Sequence, residues 1–254
     1  MNSPEEAPTS GAPLGSPAKG RTAVIVPTVN EAQTIAGLIG ELLDLGERVH
    51  IYVVDDGSSD GTVQKVERLA RSSGSVTLFA RTERKGLGDA LRFGMRQALS
   101  DPESDPLVTM DGDLSHSPLE LPGILRTGAD VTVGSRYVGG GEIEGWSSFR
   151  RAMSLSANWL ARLCLGIKTR DATSGFRAYS RRASELVVSR STSDGFQFQV
   201  EAVWLAERTG LIVREAPIRF RERKLGWSKL ATAREVMSML AFLISHIPQR
   251  VPHR

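Results

Sequence analysis

Residues 23–60 read AVIVPTVNEAQTIAGLIGELLDLGERVHIYVVDDGSSD, and this stretch decides the fold. AVIVP (23–27) is a short run of apolar, mostly β-branched residues stopped by proline, which is how a strand buried on both faces reads. Residues 31–45 then place Ile35, Leu38, Ile39 and Leu42 on one side of a helix. HIYVV (50–54) is a second buried strand, closed by an acidic, glycine-containing loop. Strand, helix and strand in this order form a βαβ unit, the building block of parallel sheets.

The same rhythm continues outward. A helix near 62–71 leads to SVTLFA (75–80), and a helix over 87–99 leads to PLVTM (106–110). A short helix after Pro118 precedes a fifth strand, DVTVGS (130–135). The pattern predicts an α/β fold: an open, mostly parallel sheet with helices on both faces. Beyond it come a helix over 147–165, a polar loop, strand-like GFRAY (175–179) and a helix over 196–208. Strands within LIVREAPIRF (211–220) and a last helix follow, and no internal repeat is visible.

Composition narrows the function classes. The chain has 254 residues, 40% hydrophobic and 24% charged, enough for a sizeable core and too apolar for general disorder. A single cysteine, Cys164 within ARLCLG, excludes an internal disulfide framework and reads as an inert buried thiol. Residues 1–20 carry four prolines with no apolar run behind a basic start, so 1–21 reads as a disordered tail and not as a signal or transit peptide. No stretch reaches the roughly 18 apolar residues of a membrane span.

The net charge of +3 averages two unlike halves. Residues 1–127 hold 12 Lys+Arg against 18 Asp+Glu, a net of −6, whereas 128–254 hold 20 against 11, a net of +9. The split suggests metal binding on one side and anion binding on the other. A genome bias towards arginine would explain 26 Arg among 32 basic residues, but not the split.

Ligands of such sheets sit at the carboxyl ends of the strands. Four chemically loaded segments fall there: 27–31, 55–60, 111–116 and 134–137. Asp111 and Asp113, one residue apart, offer hard oxygens to Mg²⁺ or Mn²⁺ holding a diphosphate; read alone, they are equally a turn capping the next helix. Asp55-Asp56-Gly57-Ser58-Ser59-Asp60 suits hydrogen bonding to a base and ribose, or a helix start with Asp60 at the cap. Gly86-Leu87-Gly88 has leucine at 91 where a dinucleotide fingerprint needs glycine, and the first loop has no glycine, which argues against a dehydrogenase. No Gly-x-Ser-x-Gly elbow supports a hydrolase, and His116 alone reads as a helix-start or surface residue. The basic half offers Arg136, Arg150, Arg151, Arg177 and the run at 219–229, with no nucleic-acid recognition motif beside them. Arg136 and Arg177 stand at strand ends among small and aromatic residues, unlike a solvated charged face.

AVIVPTVNE, VVDDGSSDGT, the K-G-L-G of 85–88, MDGDLSH, VGSRYVGGG, the D-x-T-S-G-F-R of 171–177, GFQFQVE and the G-x-S-K of 226–229 occur in order. Together they resemble the polyprenyl-phosphate (dolichyl-phosphate) mannose synthases, family 2 glycosyltransferases with a GT-A fold. The resemblance covers about 22–230 as one GT-A domain and leaves 231–254 as a C-terminal interfacial or docking helix. It implies a GDP pocket lined by Pro27, Thr28, Glu31, Asp55, Asp56 and Lys85, with Asp111 and Asp113 holding the cation. It implies that Arg136, Arg150, Ser154, Arg223 and Lys229 surround the acceptor phosphate and the transferred sugar. Gln197 and Glu201 would lie near that sugar or order the acceptor loop. Two positions depart from the pattern: Ser115 stands where a glutamine often ligates the metal, and Val29 where an aromatic is frequent.

The implied activity is transfer of mannose from GDP-mannose to a polyprenyl (dolichyl-type) phosphate with inversion, with Asp113, Arg136 and Lys229 as catalytic residues. A phosphate monoester is already anionic at neutral pH, so no general base is required. The same mechanism with UDP-glucose, a non-catalytic nucleotide-sugar-binding homologue, and an anionic-lipid surface module are the alternatives. A lipid acceptor implies a peripheral enzyme on the cytoplasmic face of a membrane, reached through the last helix or a membrane-anchored partner protein.

Overall fold

The computed structural model describes residues 20–46, 48–83, 85–222, 233–249 and 251. Strands β1 (Arg21–Thr28), β2 (Val49–Asp56), β3 (Val76–Arg81), β4 (Ser104–Thr109) and β5 (Val131–Ser135) come first. They are followed by β6 (Glu142–Glu144), β7 (Arg177–Tyr179), β8 (Val213–Pro217) and β9 (Arg219–Arg221). The main sheet has the order β3-β2-β1-β4-β7-β5-β8, and β6 and β9 form a separate parallel ribbon. Every pairing in the main sheet is parallel except those of β7, which runs antiparallel to both β4 and β5.

The apolar strands follow from burial on both faces. In β1, Ala23 and Ile25 point into one hydrophobic cluster while Val24 and Val26 point into the other, as the two-residue period of a strand requires. Helices α1 (Ile35–Asp44), α2 (Thr62–Ser72) and α4 (Leu121–Leu125) cover one face. The other is covered by α3 (Leu87–Leu99), α5 (Ser148–Leu165), α6 (Arg181–Arg190), α7 (Phe198–Arg208) and α8 (Ala233–His246). Ile35, Leu38, Ile39 and Leu42 are all fully buried, as their spacing predicts.

Four details differ from the sequence reading. Helix α1 begins at Ile35 and not at 31, because Asn30 takes a left-handed φ of 57° and the Glu31 carbonyl closes a turn onto the Thr34 and Ile35 amides. Helix α6 and strand β6 escaped the pattern: α6 buries only Ala183, Ser184 and Val187, and β6 is three residues long. LIVREAPIRF breaks at Ile218 into β8 of the main sheet and β9 of the ribbon. Cys164 is half-buried.

Reversal of β7 has a consequence for the site. Its first residue, Arg177, sits opposite Thr109 of β4 and Val133 of β5, near the carboxyl ends of both. The loop at 171–176 therefore reaches the same edge as the loops leaving β1, β2, β4 and β5. Arg177 itself is fully buried and donates to the carbonyls of Ala172, Ser174 and Gln199 at 2.7, 2.8 and 2.6 Å, so it builds that loop from within.

Candidate functional site: an acidic edge facing an arginine cluster

Pro27 and Thr28 end β1, beside the acidic loop that ends β2. The Thr28 hydroxyl donates to Asp55 at 3.2 Å, and the Ser58 amide donates to the same carboxylate at 2.9 Å, with the Ser58 hydroxyl in contact as well. Asp55 is thus fully buried with neutral donors around it. Asp56 instead receives Arg81 at 2.6 Å, and Arg81 also reaches Asp89 at 2.7 Å. Burial nevertheless holds the Asp56 carboxyl above its ordinary range. Asp60 accepts from the Ala32 and Thr62 amides, both at 3.0 Å, and Glu31 donates its amide to the Thr62 hydroxyl at 2.9 Å. These bonds tie the first two loops into one wall, with Glu31 half-buried in it. Burial raises Asp60's pKa, but the bonds from Thr62 and Ala32 outweigh it and hold the group below the usual value. Lys85 lies at the exposed rim past β3, 3.6 Å from Glu83.

Asp111 and Asp113 follow β4. Asp113 is buried and accepts the Ser115 amide at 2.9 Å; Asp111 is partly exposed, 3.4 Å from Nε2 of the buried His116. His116 is therefore interior, where the sequence suggested a surface or helix-start position, and its ring packs between Phe176 and Phe220. Among the described residues, no group of three His, Cys, Asp or Glu side chains converges as a metal site. The donor set still suits a hard divalent cation that takes its remaining ligands from phosphate and water. Two carboxylates stand one residue apart just past β4, and the buried Ser115 hydroxyl has no hydrogen-bond partner. Gly175 leaves room beside Asp111, since a Cβ there would stand 3.1 Å from its carboxylate.

The arginine cluster faces this edge. Arg136, just past β5, gives Asp171 two side-chain bonds of 2.8 and 2.6 Å and its backbone amide at 2.9 Å. It also donates to Thr173 at 2.8 Å, and its guanidinium lies 5.0 Å from the Trp146 ring and 5.5 Å from the Phe220 ring. Burial by itself would lower the Arg136 pKa, but the Asp171 carboxylate outweighs it and raises the value; the same pair lowers Asp171. Arg150 packs over the same Trp146 ring at 4.6 Å and pairs with Glu222. Ser154 accepts the Tyr137 hydroxyl at 2.8 Å, which fixes α5 against the loop after β5. A continuous run of contacts, Asp111–His116–Phe220–Trp146–Arg136, joins the acidic edge to the basic cluster.

Glu201 is buried, and its two carboxylate oxygens accept the amides of Thr192 and Ser193, each at 2.9 Å. It orders the loop at 191–197, and half-buried Gln197 opens α7 at the end of that loop. The loop packs on Gly86 and Gly88: the Gly88 amide donates to the Asp194 carbonyl at 2.7 Å, where a Cβ would meet the Ser193 carbonyl at 2.3 Å. The two glycines serve close backbone packing against that loop. Arg223 and Lys229 lie outside the described residues. Asp171, Trp146 and Phe220 are members of the site to which the sequence reading assigned no role. An arginine at a buried strand end needs a counter-charge, so the aspartate opening D-x-T-S-G-F-R was the available signal.

The sequence model of glycosyl transferase family 2 matches residues 23–187. The chain belongs to glycosyl transferase family 2. It is 41% identical over 228 residues to the polyprenol monophosphomannose synthase of Mycolicibacterium smegmatis, covering 87% of this chain and 86% of that protein. It is 38% identical over 217 residues to the undecaprenyl-phosphate mannosyltransferase of Micrococcus luteus, covering 83% and 88%. Among solved structures, glucosyl-3-phosphoglycerate synthase from Mycobacterium tuberculosis in complex with UDP aligns with a TM-score of 0.68 at 22% identity, over 93% of this chain and 82% of that one. The same enzyme with Mg²⁺ and UDP aligns at 0.63, also at 22% identity and over the same shares of the two chains. The fold of this family 2 glycosyltransferase is GT-A-like, and its resemblance to the polyprenyl-phosphate mannose synthases extends over most of its length.

Proposed function

We propose that this glycosyltransferase moves mannose from GDP-mannose to a polyprenyl phosphate with inversion, giving a β-linked polyprenyl-phosphate mannose. The observation that carries this reading is the pairing of an acidic edge with an arginine cluster around one aromatic bridge, in a chain whose relatives at 38–41% identity are named for this type of acceptor. Donor and acceptor are both anionic, so the reaction's main difficulty is bringing two phosphorylated groups together.

On the donor side, Pro27, Thr28, Glu31, Asp55, Asp56 and Lys85 bind the nucleoside, with Asp55 held in place by the Thr28 hydroxyl and the Ser58 amide. Asp111 and Asp113 would hold Mg²⁺ or Mn²⁺, which when bound offsets the diphosphate charge. On the acceptor side, Arg136, Arg150 and Ser154, with Arg223 and Lys229, orient the phosphate; Gln197 and Glu201 shape the loop beside the sugar. One acceptor phosphate oxygen bonds to the anomeric carbon as the bond from that carbon to the nucleoside diphosphate breaks. The acceptor's second pKa near ~6 leaves that oxygen anionic at neutral pH, so no proton needs removing. An acceptor with a lipid tail supports a peripheral enzyme on the cytoplasmic face of a membrane; no helix among the described residues is long and apolar enough to cross one.

The test is transfer of labelled sugar from GDP-mannose and, separately, UDP-glucose to a polyprenyl phosphate, with Mg²⁺, Mn²⁺ or chelator. The expected product is lipid-linked mannose with β configuration, formed only with metal. Transfer from UDP-glucose alone would replace the donor; no lipid-linked product from either donor would overturn the reading.

A further inference from the structure

His116 has no part in the proposed transfer, yet it is among the most confined side chains of the site. It is 1% exposed, and its ring lies against Phe176 and Phe220, with centroids 5.5 and 5.1 Å away. Its main chain is held as well. His116 forms a β-bridge with Phe220 of β9, the Arg221 amide donates to the Ser115 carbonyl at 3.0 Å, and Glu120 accepts the Arg219 amide at 2.6 Å. The place of this imidazole is therefore set both by its ring neighbours and by its own backbone.

A histidine so confined carries two nitrogens that water does not reach. Neither makes a hydrogen bond among the described residues. A buried N–H without an acceptor is destabilising, so native sites as a rule provide one. The Asp111 carboxylate is placed to be that acceptor: Nε2 stands 3.4 Å from its Oδ2, just beyond a good hydrogen bond. The ring is fixed, whereas the Asp111 side chain is 36% exposed. Gly175 puts no side chain in its way, since a Cβ there would stand only 3.1 Å from Oδ1 and 3.2 Å from Oδ2. A small rotation of the carboxylate closes the gap.

The two carboxylates after β4 are thus held by different means. Asp113 accepts the Ser115 amide at 2.9 Å, a donor that almost any residue at 115 supplies. Asp111 faces a side chain, so its orientation depends on which residue occupies 116. We propose that His116 is a positioning residue: its Nε2–H donates to Asp111 Oδ2 and sets the plane in which that carboxylate meets the divalent cation. The proposal rests on the reading of Asp111 and Asp113 as the cation site. A carboxylate already oriented by an outer donor has less freedom to lose when it binds metal, and removing such a donor costs roughly 10- to 100-fold in affinity or activity. Phe220 packs on the imidazole and also on Trp146, so the same ring keeps the cation site in register with the arginine cluster.

Methionine and glutamine are close in size and shape, but only glutamine carries a donor, so the two substitutions separate the hydrogen bond from the packing. Titration calorimetry of Mn²⁺ into the full chain with excess GDP reads the cation without any transfer step. His116→Met should bind Mn²⁺ at least roughly tenfold more weakly than wild type, and His116→Gln within about threefold of it. Thermal midpoints without metal should fall by similar amounts in the two variants, because both lose the same ring contacts. The wild type gives an independent check that no substitution can confound: side-chain nitrogen NMR should place a proton on Nε2 of His116 in the complex with Mg²⁺ and GDP. Mn²⁺ affinity undiminished in His116→Met, equal weakening in His116→Met and His116→Gln, or a bare Nε2 in the Mg²⁺ complex would each overturn the positioning role and leave the cation site standing. A wild type that binds no Mn²⁺ beside GDP would remove the cation reading, and this proposal with it.

Discussion

The two sides of the site solve opposite problems with charge. On the acidic side, Asp55 and Asp60 are held by hydroxyls and amides, which fix the loops without a cationic partner at either carboxylate. On the basic side the arginines are matched by carboxylates: Arg136 with Asp171, Arg150 with Glu222, Arg219 with Glu142 and Arg221 with Glu144. A net of +9 over the second half therefore overstates the positive charge open to a ligand. Orientation, more than surplus charge, is what the basic side supplies. Arg136 is rigid because a buried carboxylate and an aromatic platform both hold it.

The largest effect should come from the acidic side. Asp113→Asn keeps the shape but removes a charge, and transfer should fall by at least roughly a thousandfold. Titration calorimetry of Mg²⁺-dependent GDP binding should lose its metal dependence in the same variant. Unchanged transfer would mean that the cation, if any, is held elsewhere.

Next in size is the stability of the Arg136–Asp171 pair. Removing one partner of a buried pair leaves the other uncompensated, at a cost of about 3–5 kcal/mol. Asp171→Asn and Arg136→Ala should each show that loss in denaturant unfolding, and the double variant should lose less than the sum. The pair also sets a pH window. Asp171 has a folded pKa below its unfolded value of 3.8, so its contribution is complete above that value and is lost as pH falls towards the folded one. The gap between wild type and Asp171→Asn should be constant from neutrality down to about pH 4 and begin to narrow only below it. An equal gap at every pH would mean that the aspartate acts by shape alone. Arg136→Ala should in addition raise the acceptor KM more than it weakens GDP binding; the reverse would erase the division between the two sides.

A smaller effect tests where the two sides touch. Gly88 belongs to the acidic half by position, yet a Cβ there would stand 2.3 Å from the Ser193 carbonyl and 2.7 Å from the Phe198 Cβ. Gly88→Ala should cost about 1–3 kcal/mol by overpacking, seen as a lower thermal midpoint. Gly40→Ala, with nothing within 4 Å of the new methyl, should be neutral or stabilising by up to about 1 kcal/mol. Similar outcomes at both positions would separate the 85–88 loop from the 191–197 loop.

What could be read in advance divides along physical lines. The parallel half was legible because strands buried on both faces show as apolar runs, and the carboxyl edge then locates the loops without further information. Asp111, Asp113 and Asp55 stand where that logic puts them. Reversal of β7 was not legible: RAY is three residues, and direction depends on pairing with strands far away in the chain. Asp171 opens a motif the sequence displays, but its pairing with Arg136 follows from that reversal, which brings the two together. Sequence likewise marked Glu201 and Gly88 as notable, but their roles are set by loops about 10 and 100 residues away, and no local period encodes those contacts.

Trp146 gives the finest test of the comparison. Its ring meets Arg136 at 5.0 Å, Arg150 at 4.6 Å and Phe220 at 5.2 Å, so one indole fixes two cations that would otherwise repel. Cation–π contacts of this kind contribute about 0.5–2 kcal/mol each, depending on exposure. Trp146→Leu removes the π face and should raise the acceptor KM by roughly tenfold with kcat nearly intact, while Trp146→Phe should recover most of the loss. GDP affinity should not move in either variant, because the proposed nucleotide pocket on the acidic side does not include this ring. If both variants instead lowered stability and left KM alone, Trp146 would be packing material, and the basic side's orientation would rest on Asp171 by itself.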